Sequence, residues 1–317
     1  MTIARKKPLV IIAGPTGTGK SAVACALAAG IRGEIINADS RQFYQETSIG
    51  TAMPSREALQ QVPHHLVGFL SLKNGFTAFD FRQRVEKLVP EIWGRNRTPL
   101  LVGGSGLYIR ALLKGIFDLP AEMKRDQRVV RARLEMKTTP ELHSELSGVD
   151  PDLCPKLHAN DRVRIRRALE IWHLTDRKMS AWQTEAKPAG FLARTELHYF
   201  ILSPERAVLY RNLDARTEAM FAAGWVEEVR SLCAHGFEAD LREKAPIGYR
   251  EIADHIAGKL AYEDLVTGVK QKMRNYAKRQ LTWFRREEGT VWLQTEDETP
   301  ETVARRILAA MNASVSD

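Results

Sequence analysis

The residues from Pro8 to Ser21 constrain the fold more than any other stretch of the chain. Five apolar residues, Leu9 to Ala13, have the length and the β-branched content of a buried parallel strand. The segment Gly14–Ser21 follows and fits the phosphate-loop pattern G-x-x-x-x-G-K-[ST]. Small residues that favour a helix come next, over 22–29. The strand, the glycine-rich turn and the helix start therefore stand in the order that a phosphate-binding loop requires, and they predict a diphosphate or polyphosphate site.

The residue types of this loop suit phosphate chemistry. Glycines let successive backbone N–H groups turn towards an anion, and the helix start adds a partial positive charge. We expect Lys20 to reach the terminal phosphates and the Ser21 hydroxyl to hold Mg²⁺. The alternative is an accidental match, which arises about once in a hundred chains of this length. The predicted phosphate-binding residues are Gly14, Pro15, Thr16, Gly17, Thr18, Gly19, Lys20 and Ser21.

A second short strand, residues 34–38, ends at the tetrapeptide Asp39–Gln42. The C-terminal ends of parallel strands converge on the ligand crevice, so Asp39 would lie beside the phosphate loop if the two strands are close. Three roles are open to Asp39 from its position. It is a good helix N-cap, it could act as a catalytic acid, and an apolar strand that ends in Asp is also typical of a Mg²⁺ ligand.

The next segments continue the α/β pattern. Residues 54–76 are loop-like, and we interpret the adjacent His64 and His65 as a structural pair rather than a metal site, since neighbouring histidines do not share a helix face. A helix is predicted over 77–94. Pro99–Gly106 then predicts a third strand that runs into a second glycine-rich turn.

The pattern changes near residue 118. Residues 120–190 have helical periodicity and no convincing strand, and a strand pattern returns only at Leu197–Leu202. We therefore predict an α/β fold with a P-loop NTPase-like parallel sheet core, built from 1–118 and 195–317 with C-terminal helices. An inserted helical domain at 119–194 would interrupt this core.

Positive charge predicts an anionic partner. Lys and Arg number 47 against 39 Asp and Glu, for a net charge of +8. Basic residues cluster at 124–133, 162–167 and 270–286, and the last of these runs interleaves seven basic residues with three aromatic ones. Basic groups neutralise phosphates and aromatic rings stack on unpaired bases, so an RNA-binding face is predicted. The alternative for the last run is a solvated helix whose aromatic residues face the core.

Cysteine use and hydropathy bear on the compartment. The three cysteines are far apart and lack C-x-x-C spacing, which argues against a disulfide framework or a zinc site and suits a reducing cytosol. The N-terminal apolar run is too short for a signal peptide, and no stretch approaches the length of a membrane span. We expect a cytoplasmic monomer.

Together, six motifs resemble the tRNA dimethylallyltransferase (tRNA isopentenyltransferase) family. They occur in the family's order and span nearly the whole chain: Gly14–Ser21, Asp39–Tyr44, Gly103–Tyr108, Asn160–Glu170, Ile247–Glu251 and Tyr276–Arg285. The resemblance implies transfer of a dimethylallyl group from dimethylallyl diphosphate to the exocyclic amine of the adenosine that follows the anticodon on its 3′ side. It also implies Mg²⁺ as cofactor and an inserted domain that grips the anticodon stem-loop of tRNA.

The resemblance also implies roles for individual residues. Asp39 would be the base, and Lys20, the rest of Thr16–Ser21 and Arg216 would bind the diphosphate. Two positions depart from the family pattern: Ser105 stands where the family more often has Thr, and Val163 stands where it usually has Gln. Arg128 is an alternative to Arg131 as the arginine that contacts tRNA. The residues implied to contact tRNA are Asp39, Ser40, Arg41, Gln42, Ser105, Arg131, Val163, Arg164, Ile165, Arg166 and Arg167.

Two other functions use the same loop. A small-molecule or nucleotide kinase of the P-loop class would explain the phosphate loop and Mg²⁺, but not the basic and aromatic run near the C-terminus. A non-catalytic RNA-binding NTPase is the second alternative.

Overall fold

Six parallel strands form the sheet at the centre of the larger of two structural units. The structure is a computed structural model that describes residues 6–120, 122–123 and 125–313. The strands stand in the order β3-β2-β4-β1-β5-β6. Their bounds are β1 Lys7–Ala13, β2 Gly33–Asn37, β3 His64–His65, β4 Thr98–Gly103, β5 Thr195–Leu202 and β6 Val291–Leu293.

Helices account for most of the remaining chain. None of those in the described part is long and apolar enough to cross a membrane. In chain order they are α1 Lys20–Ile31, α2 Arg56–Gln61, α3 Ala78–Gly94, α4 Gly106–Leu113, α5 Gln127–Glu135, α6 Thr139–Val149, α7 Arg162–Thr175, α8 Met179–Glu185, α9 Arg206–Ala222, α10 Trp225–Ala234, α11 Glu238–Glu243, α12 Tyr249–Ile256, α13 Tyr262–Phe284 and α14 Pro300–Ala313.

The sheet interior explains why β1 is apolar throughout. Leu9 to Ala13 are fully buried, as expected for a central strand that is covered on both faces. On one face, Val10 and Ile12 pack with apolar residues of α1 and α14, among them Leu27 and Ile307. The predicted α/β fold with a parallel sheet core is confirmed. The strands β3 and β6 were not predicted, because segments of two or three residues show no periodicity.

The strand order brings the functional turns together. The neighbours β1 and β4 have connections that leave in opposite directions, since β1 leads to β2 on one side and β4 leads to β5 on the other. This reversal makes a switch point, where α/β sheets bind ligands beyond the carboxyl ends of their strands. The phosphate loop follows β1, Asp39 comes shortly after β2 and the second glycine turn follows β4, so all three lie at this edge.

The described residues divide into two compact units. One contains the residues up to Ile109 and those from Gly190 onward, and the other is Arg110–Ala189. The second unit is helical. Its core is formed by residues of α5, α6, α7 and the segment that joins α6 to α7: Leu134, Leu142, Leu146, Leu153, Cys154, Ile165, Ala168 and Leu169.

Candidate active site

The phosphate loop joins β1 to α1 in a conformation that depends on glycine. Gly14 has φ 144°, and a Cβ there would lie 2.4 Å from the carbonyl oxygen of Leu202. Gly19 is the N-cap of α1, with φ 76° and no side-chain cap. The first N–H groups of a helix have no partner within it, and without a capping side chain they stay available to an anion.

Lys20 begins α1 and turns back over the loop. Its ammonium donates a hydrogen bond to the Pro15 carbonyl oxygen at 2.6 Å. Burial lowers the pKa of Lys20 to about 8, although the Asp39 carboxylate opposes this shift, and the Arg216 guanidinium lowers the pKa further. The ammonium is therefore short of water and close to a second cation, and a bound diphosphate would relieve both penalties.

Asp39 holds its own turn and keeps an oxygen free. Its Oδ1 accepts from the Arg41 backbone N–H at 3.0 Å, and its own N–H donates to Asn37 Oδ1 at 2.9 Å. Residues 40–43 form turns and not a helix, so the helix N-cap, one of the three roles left open for Asp39, is wrong. The side chain caps a local turn instead. Among the described residues no hydrogen bond reaches Oδ2, which leaves this oxygen for a proton or a metal ion.

The turn after β4 supports the Asp39 turn. The Ser105 hydroxyl accepts from the Ser40 N–H at 2.9 Å and donates to the Ser40 hydroxyl at 3.1 Å. A Cβ on Gly103 would lie 2.2 Å from the backbone of Ala38, so only glycine allows the two turns to approach so closely. Ser105 therefore lies beside the predicted nucleotide-contacting turn, and its contact with the nucleotide stays a prediction.

Arg216 reaches the loop from α9, far along the chain. Its guanidinium donates to the Thr16 hydroxyl at 3.3 Å and to the Thr51 carbonyl at 3.2 Å. Burial lowers the pKa of Arg216, and the Asp39 carboxylate opposes this shift. A second cation thus lies against the phosphate loop, and its contact with a diphosphate stays a prediction.

Two cavities meet at Asp39. The first, of about 380 Å³, is lined by the phosphate loop with Lys20 and Ser21. The second, of about 320 Å³, is lined by residues that include Ile247, Tyr276 and Arg279. Burial and the Asp39 carboxylate raise the pKa of Tyr276 to about 12, so this phenol stays protonated at neutral pH. The residues that line both cavities are Thr16, Asp39 and Arg216.

The loop 48–52 forms a wall of both cavities and is anchored by residues that the sequence analysis missed. Glu228 accepts from the backbone N–H groups of residues 48 and 49, at 3.1 and 2.9 Å. The Tyr249 hydroxyl donates to Glu228 at 2.6 Å and accepts from the N–H of residue 50 at 3.1 Å. Tyr249 belongs to the motif Ile247–Glu251, so the sequence could have indicated that it is a site residue. Glu228 lies in no motif, and nothing in the sequence pointed to it.

Two residues of the Asp39 turn have different surroundings. Gln42 is 9% exposed, and its amide nitrogen donates to the carbonyls of Thr51 and Ala52 at 3.1 and 3.0 Å, so it shapes the cavity wall. Arg41 is exposed and donates to the Lys244 carbonyl at 3.1 Å. Nucleotide contacts by either residue stay predictions.

Oxygen donors at the phosphate loop suit Mg²⁺. Mg²⁺ is usually bound through one or two protein oxygens together with substrate phosphates and water. The Ser21 hydroxyl and the Asp39 carboxylate both line the first cavity, which fits this pattern. No cluster of three or more His, Cys, Asp or Glu is placed to hold a metal ion within the described residues. His64 bonds to the Val62 carbonyl and His65 bonds to Glu34, both at 2.7 Å, as expected of a structural pair, and His64 also lines the first cavity.

In the helical unit, two of the predicted arginines surround a buried carboxylate. Glu170 is 1% exposed and accepts from Arg131 at 3.3 Å, from Arg167 at 2.7 Å and from Gln127. Arg131 and Gln127 tie α5 to α7, whereas Arg167 pairs with Glu170 within α7. Both arginines remain partly exposed, at 52% and 36% of their side chains, so they can also meet an anion.

The other predicted residues of α7 differ in exposure. Val163 is 69% exposed, Arg164 pairs with the N-cap residue Asp161, and Arg166 pairs with Glu135. Ile165 is fully buried in the core of the unit, so the prediction that it contacts tRNA is wrong for its side chain. Its position in the helix turns it inward, between residues that face solvent. Arg128 is exposed, and Lys124, which begins the first basic cluster, lies outside the described residues.

The basic and aromatic run on α13 divides between surface and interior. Phe284 is fully buried, so the prediction that it stacks on a base is wrong and the alternative of a core aromatic holds for it. Tyr276 instead lines the second cavity. Three of the seven basic residues form ion pairs within the same unit, namely Lys270 with Glu218, Lys272 with Glu251 and Arg274 with Asp214.

The fold and the site define a P-loop α/β protein with two cations and a carboxylate around the glycine-rich loop that follows β1. The family model described as IPP transferase matches residues 42–287. A tRNA dimethylallyltransferase from Geobacter metallireducens is 42% identical over 299 residues, which is 91% of this chain and 93% of that protein. The chain belongs to the IPP transferase family.

Solved structures agree with this membership. Snapshots of a eukaryotic dimethylallyltransferase acting on tRNA match with a TM-score of 0.77 and 26% identity, over 98% of this chain and 80% of that one. A tRNA isopentenylpyrophosphate transferase from Bacillus halodurans matches with a TM-score of 0.68 and 32% identity. The match covers 98% of this chain and 96% of that one. The resemblance, the fold class and the assignment as a prenyltransferase are confirmed, and neither the kinase nor the RNA-binding NTPase is favoured.

Proposed function

We propose that this protein transfers a dimethylallyl group from dimethylallyl diphosphate to the exocyclic amine of the adenosine that follows the anticodon of tRNA, as a cytoplasmic monomer. One observation carries the proposal. Two cavities meet at Asp39, and one of them contains the phosphate loop with its cations. A diphosphate donor in the first cavity and a nucleobase in the second would bring the reacting atoms together beside a carboxylate.

The donor side of the reaction is the departure of diphosphate. The allylic C–O bond breaks readily when the charge that develops on the leaving group is neutralised. Lys20 and Arg216, together with the amides at the start of α1, lie where they can supply this stabilisation. Ser21 would hold Mg²⁺, which supplies further charge neutralisation to the diphosphate when it is bound.

The acceptor side needs a base. The exocyclic amine of adenine is a poor nucleophile because its lone pair is delocalised into the ring. As the new N–C bond forms, the proton of the amine would pass to Asp39 Oδ2, while Oδ1 keeps the turn in place. The adenine must leave its stack to enter the cavity, which costs least in a single-stranded loop. Water must also be kept away from the allylic cation, which it would otherwise hydrolyse.

The helical unit is proposed to bind the anticodon stem-loop. We place this role on the inserted helical domain at 119–194, where exposed arginines are available to phosphates. Arg164 and Arg131 have the most exposed side chains among the predicted arginines with ion-pair partners, at 62% and 52%. Val163 and Arg164 lie in the first turn of α7, whose motif is among those that carry the family resemblance.

The function is tested by mass spectrometry of nucleosides from tRNA. Unmodified tRNA is incubated with dimethylallyl diphosphate and Mg²⁺, with and without the protein. We expect one adenosine to gain a dimethylallyl group only when protein and diphosphate are both present. Transfer of phosphate from ATP to an acceptor would instead establish the kinase, and ATP hydrolysis without any change in the RNA would establish the NTPase.

Diphosphate affinity should depend on pH through Lys20. The pKa of Lys20 is about 8 in the free protein, and a bound diphosphate would raise it, so the affinity is highest below pH 8 and falls as pH rises through that value. The measurement is titration calorimetry with inorganic diphosphate at constant Mg²⁺. The Lys20→Ala variant corrects for titration of the ligand, since the difference in log affinity between the two proteins should shrink above pH 8. A constant difference would contradict the prediction.

Affinity for an anticodon stem-loop should depend on salt through α7. Replacing both Arg164 and Arg167 with alanine should reduce the slope of log affinity against log salt by about two units, because each phosphate contact releases counterions. Glu170 keeps Arg131 and Gln127 as partners in this variant. The matched control replaces two exposed arginines of α14, Arg305 and Arg306. An unchanged slope in a folded α7 variant would remove this helix from the proposed interface.

A further inference from the structure

A single buried amide on α13 joins the two glycine-rich turns of the site. Gln280 Oε1 accepts from the backbone N–H of Thr16 at 2.9 Å, and its Nε2 donates to the Gly104 carbonyl oxygen at 2.9 Å. Gln280 is 5% exposed. The side chain therefore reaches the phosphate loop with one end and the turn after β4 with the other, away from solvent.

The fit at this point is tight. A Cβ on Gly104 would lie 2.3 Å from Gln280 Nε2, so the turn after β4 leaves room for the amide only because it has glycine there. Removing the amide would leave a backbone N–H and a carbonyl unpaired in a site with little water, which is costly for buried polar groups. Ordinary apolar packing would not need a side chain with one acceptor and one donor directed to two different turns.

The position of Thr16 depends on this contact. Its backbone is held by Gln280 and its hydroxyl accepts from Arg216. The turn on the other side of Gln280 supports Asp39, because Ser105 binds the backbone of Ser40. Gln280 is thus the link between the loop that would bind the diphosphate and the turn that carries the base.

We infer that Gln280 is a positioning residue, which sets the place of the phosphate loop relative to Asp39 and thereby the distance between donor and acceptor. The inference rests on the proposed diphosphate site and goes beyond it, since Gln280 does not line either cavity. Tyr276, one helical turn earlier, lines the second cavity. One face of α13 therefore lines the second cavity directly, through Tyr276. It contacts the first cavity indirectly, through the hydrogen bond of Gln280 to the phosphate loop.

The test uses two substitutions of similar shape. Gln280→Glu keeps both hydrogen bonds while its carboxyl is protonated, since the carbonyl oxygen accepts from Thr16 and the O–H donates to Gly104. Ionisation removes the donor and sets a charge against the Gly104 carbonyl. Burial raises the pKa of a carboxyl, so this change falls in an accessible range. Gln280→Met removes both hydrogen bonds at every pH, and Gln271→Glu, on the exposed face of α13, is the matched control.

Binding of inorganic diphosphate with Mg²⁺ is measured between about pH 5 and 7, where Lys20 stays charged. Relative to the native protein, we expect Gln280→Met to bind about tenfold more weakly at every pH. Gln280→Glu should approach native affinity at the acidic end and lose about tenfold towards neutral pH. The Gln280→Met profile accounts for titration of the ligand and of the rest of the protein, because these are common to all the variants.

Transfer kinetics complete the test. We expect kcat of Gln280→Met to fall by about 10- to 100-fold, because small misplacements of reacting groups have effects of this size. The KM for dimethylallyl diphosphate should rise while the KM for tRNA stays constant. Native diphosphate affinity in folded variants, or identical pH profiles for the Glu and Met variants, would overturn the inference and leave Gln280 a packing residue. Absence of prenyl transfer by the native protein would instead refute the proposed function, and the diphosphate titration would still decide the role of Gln280.

Discussion

Replacing Lys20 with alanine should reduce turnover by about 10²–10³-fold, because the variant lacks a cation aimed at the developing charge of the diphosphate. The ammonium lies 2.6 Å from the Pro15 carbonyl in the free protein and is partly buried beside Arg216. The fold should survive, since the ammonium bonds to a loop carbonyl and not to a core element, and burial disfavours its charge. The measurement is single-turnover prenyl transfer with saturating tRNA, together with thermal unfolding.

The control for this variant is Lys87→Ala, which removes an exposed lysine from α3. It should leave turnover within about twofold of native and the midpoint of unfolding unchanged, as is usual for a surface substitution. Near-native turnover by Lys20→Ala would mean that the diphosphate does not bind in the phosphate loop. A fall of similar size in both variants would trace the effect to handling of the protein and not to the site.

Asp39→Asn should abolish most turnover while tRNA and diphosphate still bind. Asparagine keeps an oxygen that can accept from the Arg41 N–H, so the turn should stay intact. The charge and the basicity are lost, and a base acts mainly in the transition state, so kcat should fall by about 10²–10⁴-fold with little change in affinity. The measurements are kcat, the affinity for an anticodon stem-loop and the affinity for inorganic diphosphate.

Asp39→Ala separates the chemical role from the structural one. It removes the turn hydrogen bond as well as the charge, so it should lower stability and activity together. If Asp39 serves only the turn, Asp39→Asn will be close to native and Asp39→Ala will be damaged. If it binds Mg²⁺, raising the Mg²⁺ concentration will restore turnover of Asp39→Asn, and full restoration would refute the assignment as base.

Local patterns in the sequence were sufficient to predict the phosphate loop. The order of strand, glycine turn and helix start predicted the phosphate loop, because backbone conformation and helix dipole are properties of neighbouring residues. Asp39, just after β2, was predicted to lie beside this loop if the two strands are close, because parallel strands end at one edge of a sheet. Only the structure shows that both turns line one cavity. The roles given to Arg216 and to the arginines of α7 came from family resemblance and not from any local pattern.

Tertiary structure alone decided which of these side chains face a cavity or solvent and which are buried in the core. Ile165 and Phe284 belong to motifs that predicted RNA contacts, yet both are fully buried, because a short basic motif does not record which face of the helix is covered. Gln280 lies 264 residues from Thr16 in the chain and is hydrogen-bonded to it. The geometry of this hydrogen bond depends on how α13 packs against the two turns. Its contribution to stability depends on the burial of both groups, which the sequence around either residue does not specify.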